Sequence, residues 1–319
     1  MTRKLLAVLA MALGQSAVQA QPWPAKPIHA VVPVGVGSST DIVHRLVLQH
    51  VSAELGQPIV VENRTGAGGT IGTAVVAKAQ PDGYTLLANG SAHTITPAMY
   101  KALPYDAARD FIAVAPIGMS PSVLVVAPAK GIKTVDGLVA AAKARPGTVT
   151  FSSVGVGTAT HLSAERFVTS AGIQAVHVPF KGGAEAMLDV IAGRVDFFFG
   201  PVALVLPHIR DGKLLPLAVN VAKRSAALPE VPTLQEAGYA DAEYPIWFGL
   251  FAPARTQRPI VEKLNRETAK VLQSPALRDK LVALGIEPML MSAEEFAAYV
   301  GKEFALNAAL AKKAGLKAE

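Results

Sequence analysis

Residues 28–41 read Ile-His-Ala-Val-Val-Pro-Val-Gly-Val-Gly-Ser-Ser-Thr-Asp, and residues 149–161 read Val-Thr-Phe-Ser-Ser-Val-Gly-Val-Gly-Thr-Ala-Thr-His. Each stretch begins with a β-branched run that predicts a strand, continues through a glycine-rich turn and opens a segment with helical periodicity. A strand, a turn and a helix in this order form the unit from which α/β domains are built. Because the unit occurs in both halves of the chain, the sequence predicts two similar α/β lobes.

The segments around these two units have the same alternating character. Short β-branched runs predict further strands, for example at Ile59–Glu62 and Ala175–Pro179. Alanine-rich amphipathic stretches predict helices between them, for example at Thr40–Leu55 and Ala159–Ser170. The alternation of strands and helices therefore indicates the α/β fold class throughout.

Two apolar stretches interrupt this alternation and could carry the chain between the lobes. They are residues 111–127, which contain proline breaks, and residues 214–220. A mature chain of about 300 residues is long enough for two domains. We therefore expect discontinuous lobes joined by two crossing segments: lobe 1 combines residues 21–120 with 221–319, and lobe 2 spans residues 121–220.

The start of the chain, residues 1–20, has the pattern of a cleaved secretory signal peptide. Arg3 and Lys4 form a positive start, Leu5–Leu13 is an apolar run, and Val18-Gln19-Ala20 is a small-x-small cleavage site. The alternative is a membrane anchor, but spanning a bilayer takes about 20 apolar residues. We expect a mature, soluble chain that starts near Gln21 and works outside the cytoplasmic membrane.

Composition and charge narrow the classes of function. The chain contains no cysteine, which excludes disulfides and thiolate metal sites. Its formal charge is +6, and loss of Arg3 and Lys4 with the signal peptide leaves +4, scattered without a basic block. A nucleic-acid partner is therefore not expected. The 7 histidines include no close pair at metal-ligand spacing, so we predict neither a metal site nor a cofactor.

The two glycine-rich turns are the candidate binding elements. Glycine lets the backbone approach a ligand closely, hydroxyl groups add donors, and a helix N-terminus favours an anion through its dipole and unpaired N–H groups. Ligand sites of open α/β sheets lie at the carboxyl ends of the strands, where both turns fall. The candidate residues are Val34, Gly35, Gly37, Ser38, Ser39 and Thr40 in the first turn, and Ser153, Gly157, Thr158 and His161 in the second.

Each of these residues also has a purely structural interpretation. The turns could simply connect a strand to a helix, and His161 could be structural rather than functional. We expect Asp41 to be the N-cap of the first helix, because a carboxylate facing the ligand would repel an anion. The valines of the two turns could line the ligand or face the cores of the lobes.

The sequence offers little support for an enzyme. Residues 66–72 resemble a nucleotide-binding loop only loosely, because Ile71 stands where a dinucleotide fingerprint has its third glycine. The chain has no Gly-x-Ser-x-Gly elbow, and no nucleophile, base and orienting group are suggested together. We therefore predict a binding protein without catalytic residues, with an exported hydrolase as the less favoured alternative.

A series of motifs, in order along the whole mature chain, resembles a known family. The motifs are Trp23–Ile28, Val31–Pro33, Thr40–Val43, Val61–Gly69, Pro81–Leu87, Leu103–Asp106, Val176–Gly182 and Leu228–Thr233. The chain resembles the Bordetella uptake gene (Bug) family, the extracytoplasmic receptors of tripartite tricarboxylate transporters. The resemblance implies a type II periplasmic binding protein fold, whose two α/β lobes hold a ligand carboxylate between the two turns.

The resemblance also implies a location and partners. A receptor of this family captures a small carboxylate in the periplasm, closes its lobes around it and delivers it to the membrane subunits of a transporter. We expect it to act as a monomer. A periplasmic protein that signals to a membrane sensor remains an alternative.

Two departures from the family pattern bear on the ligand. The first turn commonly reads Phe-Pro-Pro-Gly-Gly-Gly-Thr-Asp in the family, and residues 34–39 replace much of that here. Many members read Phe-Asp-Asn after the strand that ends at Phe199, where this chain has Gly200 and Pro201. Gly200 is therefore a candidate site residue that lacks the carboxylate an ammonium group would need. We predict a carboxylate ligand without an α-amino group and with an aromatic or aliphatic body.

Overall fold

The computed structural model describes residues 23–313, which form two β-sheets with helices packed against them. The predicted signal peptide, residues 1–20, lies outside the described residues. Among residues 23–313, no helix combines the length and the apolar character that crossing a membrane requires.

The first sheet has six strands. They are β1 (Ile28–Val32), β2 (Ile59–Asn63), β3 (Thr85–Gly90), β4 (Phe111–Ser120), β10 (Ile246–Pro253) and β11 (Glu287–Pro288). Their order in the sheet is β2-β1-β3-β10-β4-β11. β1 is parallel to both β2 and β3, and β10 runs antiparallel between β3 and β4. The carboxyl ends of β1 and β3 therefore lie at the same edge of the sheet.

The second sheet has five strands. They are β5 (Ser122–Val126), β6 (Val149–Ser153), β7 (Ala175–Pro179), β8 (Phe197–Pro201) and β9 (Leu215–Val219). Their order is β7-β6-β8-β5-β9. β6 is parallel to β7 and β8, and β5 is antiparallel to β8 and β9. β6 thus occupies the position in the second sheet that β1 occupies in the first.

The helices of the described residues follow the strands along the chain. They are α1 (Ser39–Leu55), α2 (Thr70–Ala77), α3 (Ser91–Met99), α4 (Val135–Ala144), α5 (Ala159–Ser170), α6 (Gly183–Ile191), α7 (Val202–Arg210), α8 (Arg258–Leu272), α9 (Pro275–Ala283) and α10 (Ala293–Lys313). Helices α3 and α7 were not predicted from the sequence, and each contains an internal proline, Pro97 or Pro207. An internal proline removes a helix hydrogen bond, so the local sequence does not favour a helix at either place. Both helices form nevertheless, because tertiary packing stabilises them.

The chain passes between the two sheets twice. β4 ends at Ser120, Pro121 follows, and β5 begins at Ser122. The return follows β9, and residues 221–242, which the sequence analysis assigned to lobe 1, pack on the second sheet instead. The buried members of this segment are Val221, Leu228 and Val231 in one core cluster of the second sheet, and Leu234 and Ala242 in the other. We therefore place the return passage close to Tyr244, and the remaining lobe boundaries stay a prediction.

Asn220 ties the two passages together at the junction of the lobes. Its buried side-chain oxygen accepts from the N–H of Ser122 at 2.7 Å, and its Nδ2 donates to Ser163 Oγ at 2.8 Å and to the carbonyl of Tyr244 at 2.6 Å. These bonds join both passages to α5, a helix of the second lobe. The junction lies beside the carboxyl ends of the parallel strands, where the predicted turns are found.

Candidate ligand-binding site

The first predicted turn connects the end of β1 to the start of α1. Ser38 is the N-cap of α1, with extended backbone, and its Oγ accepts from the N–H of Asp41 at 3.2 Å. The N–H groups of Ser39 and Thr40 have no acceptor among residues 23–313. Such N–H groups at the start of a helix can bind an anion.

Asp41 is not the N-cap that the sequence predicted, because Ser38 takes that position. The buried Asp41 carboxylate accepts from the N–H of Gly37 at 3.0 Å, from Arg45 Nε at 2.8 Å and from Asn63 Nδ2 at 2.9 Å. Burial alone would raise the pKa of Asp41, but these hydrogen bonds and the charge of Arg45 lower it overall. The carboxylate is therefore ionised, and its charge is compensated within the first lobe.

The second predicted turn connects the end of β6 to the start of α5. Thr158 is the N-cap of α5, and its hydroxyl donates to the carbonyl of Gly155 at 2.7 Å. The N–H groups of Ala159 and Thr160 have no acceptor within the part of the chain that the structure describes. The second lobe therefore presents the same pair of N–H groups at a helix start as the first.

His161 is buried and holds the second turn through a hydrogen bond. Its Nδ1 accepts from the N–H of Gly157 at 3.0 Å, so the neutral ring carries its hydrogen on Nε2, which lies 3.6 Å from Glu165 Oε1. The ring stacks on His177 with 3.8 Å between centroids. Burial and the neighbouring His161 lower the pKa of His177 to about 4, so His177 is neutral at neutral pH.

The two turns share one hydrogen-bonding plan. Asp41 and His161 each stand at the third position of their helix, and each accepts the N–H of the glycine four residues earlier, at 3.0 Å in both cases. Gly37 and Gly157 have φ angles of +80° and +73°, which favour glycine. The repeated sequence thus encodes a repeated lock, in which the side chain of the third helical residue holds the turn. The N–H groups of residues 39–40 and 159–160 are left without an acceptor among the described residues.

Ser153 and His177 make a contact of the kind that a hydrolase uses. Ser153 Oγ lies 2.6 Å from Nε2 of His177. The serine side chain is fully buried, however. Its Oγ also donates to the carbonyl of Gly155 and accepts from the N–H of Gly155, each at 3.0 Å. A buried hydroxyl engaged in this way supports the turn, and a substrate has no access to it.

A cavity of about 510 Å³ lies between the two turns. The cavity is lined by residues of both turns, of the first sheet, of α3 and of the loop after β2. These residues are Val34, Thr40, Gly68, Asn89, Gly90, Ser91, Ala92, Ile95, Thr96, Met99, Tyr100, Val154, Val156, Gly157, Thr158, Ala159, Ile246, Trp247 and Phe248. None of these residues is charged. The lining is therefore mainly apolar, with amide, hydroxyl and backbone groups as the polar partners, the usual balance of a small-molecule site.

A second cavity, of about 590 Å³, adjoins the first. The two share Val154, Ala159 and Ile246 as lining residues, and Ser39 and Thr160 border the second cavity only. The starts of α1 and α5 therefore lie between the two cavities.

The predicted site residues divide into those that line these cavities and those that support them. Val34, Thr40, Gly157 and Thr158 line the first cavity, and Ser39 lines the second. The residues that line neither cavity are Gly35, Gly37, Ser38, Ser153, His161 and Gly200. Of the turn valines left open by the sequence, Val34, Val154 and Val156 face the first cavity, and Val36 is exposed and lines neither cavity.

Gly200 is buried, and the surroundings of its Cα explain why it lies outside the cavities. A Cβ added there would overlap Val205 and the ring of Phe198. A side chain at this position would therefore point into the apolar core of the second lobe, and only the adjacent Pro201 borders the second cavity. A carboxylate cannot enter the cleft from position 200 without repacking this core.

The junction of β3 and α3, residues 89–91, is a third wall that sequence reasoning missed. The Asn89 side chain has no hydrogen bond to another described residue, although the residue is buried at the cavity edge. Ser91 Oγ accepts from the N–H of Trp247 at 2.9 Å, which joins this wall to β10. The available signal was the sequence Asn-Gly-Ser directly after the apolar run Leu86–Ala88, because an apolar run, a glycine and a hydroxyl residue also mark the two predicted turns.

The described residues contain no group of three or more His, Cys, Asp or Glu side chains that could hold a metal ion. The two cavities combine backbone N–H donors at helix starts, a few hydroxyl and amide groups, and apolar surface, and a combination of this kind can bind a small anion.

Comparison with known proteins identifies the family. A family model described as the tripartite tricarboxylate transporter family receptor, TctC, matches residues 43–316. Protein BugT of Bordetella pertussis is 36% identical over 99% of this chain and 99% of its own length.

Two solved structures with bound carboxylates share the fold. Rpa4515 of R. palustris with adipate is 34% identical, covers 92% of this chain and 98% of its own, and superposes with a TM-score of 0.77. MatC from Rhodopseudomonas palustris with bound malate is 29% identical, covers 90% of this chain and 99% of its own, and has a TM-score of 0.73. The predicted two-lobed α/β periplasmic binding fold is confirmed.

The family and the structural relatives are substrate-binding receptors, which confirms the prediction that this protein is not an enzyme. The chain is a periplasmic solute-binding receptor, and it belongs to the TctC family of tripartite tricarboxylate transporter receptors.

Proposed function

We propose that this receptor captures a small carboxylate without an α-amino group and with a hydrocarbon body, and passes it to the membrane subunits of a tripartite tricarboxylate transporter. The observation that carries the proposal is the pair of helix starts with unpaired N–H groups, at Ser39–Thr40 and Ala159–Thr160, beside cavities without a charged side chain. Helix starts attract an anion without the cost of a buried cation.

The absence of charged lining residues argues against an amino acid as the ligand. A buried ammonium group needs a carboxylate or several acceptors, because burying an unpaired charge costs on the order of several kcal/mol or more. Asp41 is engaged by Gly37, Arg45 and Asn63, and position 200 points into a core. Val34, Val154 and Val156 offer apolar surface to a hydrocarbon body instead.

The relatives with bound ligand support this class of compound. Adipate is bound by one of them and malate by another, and neither compound has an amino group. For this chain, we propose that Thr40 and Thr158 stand closest to the carboxylate and that Asn89 and Ser91 receive a second polar group at the other end of the ligand.

A thermal-shift screen followed by calorimetry tests the ligand class. A ligand present at about 100 times its Kd stabilises the protein by roughly 2.7 kcal/mol, a shift that is easily measured. The mature protein should bind aliphatic or aromatic carboxylates, with adipate and malate as reference compounds, and should not bind aspartate or glutamate. Tight binding of either amino acid, with none of the other carboxylates bound, would refute the proposal.

Export and oligomeric state are separate parts of the proposal. We propose that residues 1–20 are removed on export and that the mature protein is a monomer. Intact-mass measurement of periplasmic protein should give a chain that begins at or near Gln21, and sedimentation should give the mass of one chain. Recovery only from the membrane fraction with Met1 retained would contradict the export proposal.

A further inference from the structure

The second cavity has an apolar lining and lies on the far side of the anion-binding turns. Ile42 and Val43 of α1, Leu204 of α7, and Leu284 and Ile286 beyond α9 line it. Ile42 and Leu284 are 43% and 36% exposed, so the cavity presents apolar surface that nothing covers in the described part of the chain. Its polar lining side chains are three hydroxyls, from Ser39, Ser120 and Thr160. Covering such apolar surface is favourable, and surface of this kind marks ligand grooves.

The second cavity adjoins the proposed carboxylate site. It shares Val154, Ala159 and Ile246 with the first cavity. Thr40 borders the first cavity and its neighbour Ser39 the second, and both carry unpaired N–H groups. An anion bound by these groups would therefore lie at the border of the two cavities, with open space on either side.

The two cavities differ in what they can accept. The first contains an amide at Asn89 and hydroxyls at Ser91, Thr96 and Tyr100, which suit a second polar group. At one edge of the second cavity the two lobes approach each other, because a Cβ added at Gly285 would lie 3.1 Å from the Cβ of the lining residue Ala203. An occupant of the second cavity is thus apolar and of limited length.

We propose that the second cavity is a binding site for the hydrocarbon part of the ligand, so that the receptor takes carboxylates with a medium-length alkyl chain or an aromatic ring in preference to short hydroxy acids. This inference rests on the proposed function, because the carboxylate at the two turns anchors the ligand. The affinity should then increase with the length of an alkyl chain, by about fourfold for each buried methylene, until the cavity is full.

Variants that fill one cavity at a time provide the test. Ala184 at the start of α6 and Ala283 at the end of α9 are exposed alanines that line the second cavity from the two lobes. Ala92 is an exposed alanine that lines only the first cavity, and Ala140 of α4 is exposed and lines neither. Each is replaced by phenylalanine, and calorimetry measures the binding of straight-chain monocarboxylates from butanoate to decanoate, with adipate as reference.

The proposal predicts a distinct result for each variant. Ala184→Phe and Ala283→Phe should lower the affinity for octanoate roughly tenfold, the equivalent of losing about two buried methylenes, and leave butanoate nearly unchanged. Ala92→Phe should weaken adipate and keep the dependence on chain length, and Ala140→Phe should behave as the unmodified protein. Two variants in different lobes keep the test valid if one of them does not fold.

Two outcomes would overturn the inference, and they differ from failure of the proposed function. If the carboxylates bind with an affinity that does not depend on chain length, the second cavity is not a hydrocarbon site. The same conclusion follows if the affinity depends on chain length and only Ala92→Phe abolishes that dependence. In both cases the proposed function stands. If the unmodified protein binds no carboxylate of either series, the proposed function itself is wrong.

Discussion

Replacing Asp41 by asparagine tests whether the buried carboxylate locks the first turn. Asparagine has the same shape, and its oxygen can still accept the two bonds that Asp41 Oδ1 receives, from Arg45 Nε and Asn63 Nδ2. In the unmodified protein the N–H of Gly37 donates to Asp41 Oδ2 at 3.0 Å. In the variant the amide NH₂ takes the place of Oδ2 and faces this N–H. Two donors facing each other cannot bond, so the turn loses its lock.

The expected loss follows from these contacts. One hydrogen bond to a charged acceptor is worth about 1.5–3 kcal/mol. The lost attraction to Arg45 adds at most about 1 kcal/mol, because the Arg45 side chain is 43% exposed and solvent screens the pair. We therefore expect Asp41→Asn to lower the free energy of unfolding by about 2–3 kcal/mol, and Tm by roughly 3–5 °C. The affinity for the carboxylate ligand should fall as well, since the N–H groups of the turn lose their orientation.

The effect should depend on pH with a definite sign. Hydrogen bonds and Arg45 outweigh burial and hold the pKa of Asp41 in the folded protein below its ordinary value. A carboxylate of this kind contributes stability that is complete above the unfolded pKa of about 3.9 and is lost as the pH falls through the lower folded pKa. The difference between the unmodified protein and Asp41→Asn should therefore be largest near neutral pH and should shrink below about pH 4.

Urea unfolding at neutral and acidic pH, followed by calorimetry with the carboxylate found in the screen, measures both effects. Asp211→Asn is a matched control, because it removes the same charge from a side chain that is 58% exposed and paired only with Lys213. That control should change the stability by less than about 1 kcal/mol. An Asp41→Asn protein with the stability and affinity of the control would refute the lock.

Three further substitutions probe the rest of the site. His161→Phe keeps a stacked ring but removes the acceptor for the N–H of Gly157, so calorimetry should show ligand affinity reduced about tenfold, with a loss of stability near 1 kcal/mol in urea. Gly90→Ala places a Cβ against the carbonyl oxygen of Trp247 and should lower the free energy of unfolding by about 1–3 kcal/mol, whereas normal stability would show that β3 and β10 can separate without cost. Asn89→Asp adds a negative charge to an uncharged wall, so dicarboxylate affinity should fall about tenfold at neutral pH and recover on acidification; unchanged affinity would remove Asn89 from the site.

Local sequence was sufficient for the regular elements and for the two turns. The predicted helix at Ala159–Ser170 and strand at Ala175–Pro179 coincide with α5 and β7, because β-branched runs, apolar periodicity and glycine-rich breaks act over a few residues. The repeated Val-Gly-Val-Gly motif similarly predicted the strand, turn and helix start in each lobe. Motifs along the chain indicated the family, which comparison confirmed.

The local sequence could not show which residues the side chains of the turns contact. Asp41 was expected to cap α1, but Ser38 caps the helix and Asp41 bonds Asn63, which comes from β2. For His161 the sequence left a ligand-binding role and a structural role open; the residue stacks on His177 from β7 and accepts a hydrogen bond from the turn. In each case the residue type and the turn were correctly identified, and the neighbouring strand decided which way the side chain faces.

The sequence by itself therefore determined two α/β lobes, each with a glycine-rich turn at a helix start, because these features depend on residues that are close together in the chain. Only the tertiary structure decided which residues line the first cavity, that Gly200 faces a core, and that a second apolar cavity adjoins the proposed carboxylate site. Ser91 and Trp247 meet in the site although 156 positions separate them. Strand order and register bring such residues together, and these depend on how the whole chain buries its apolar surface.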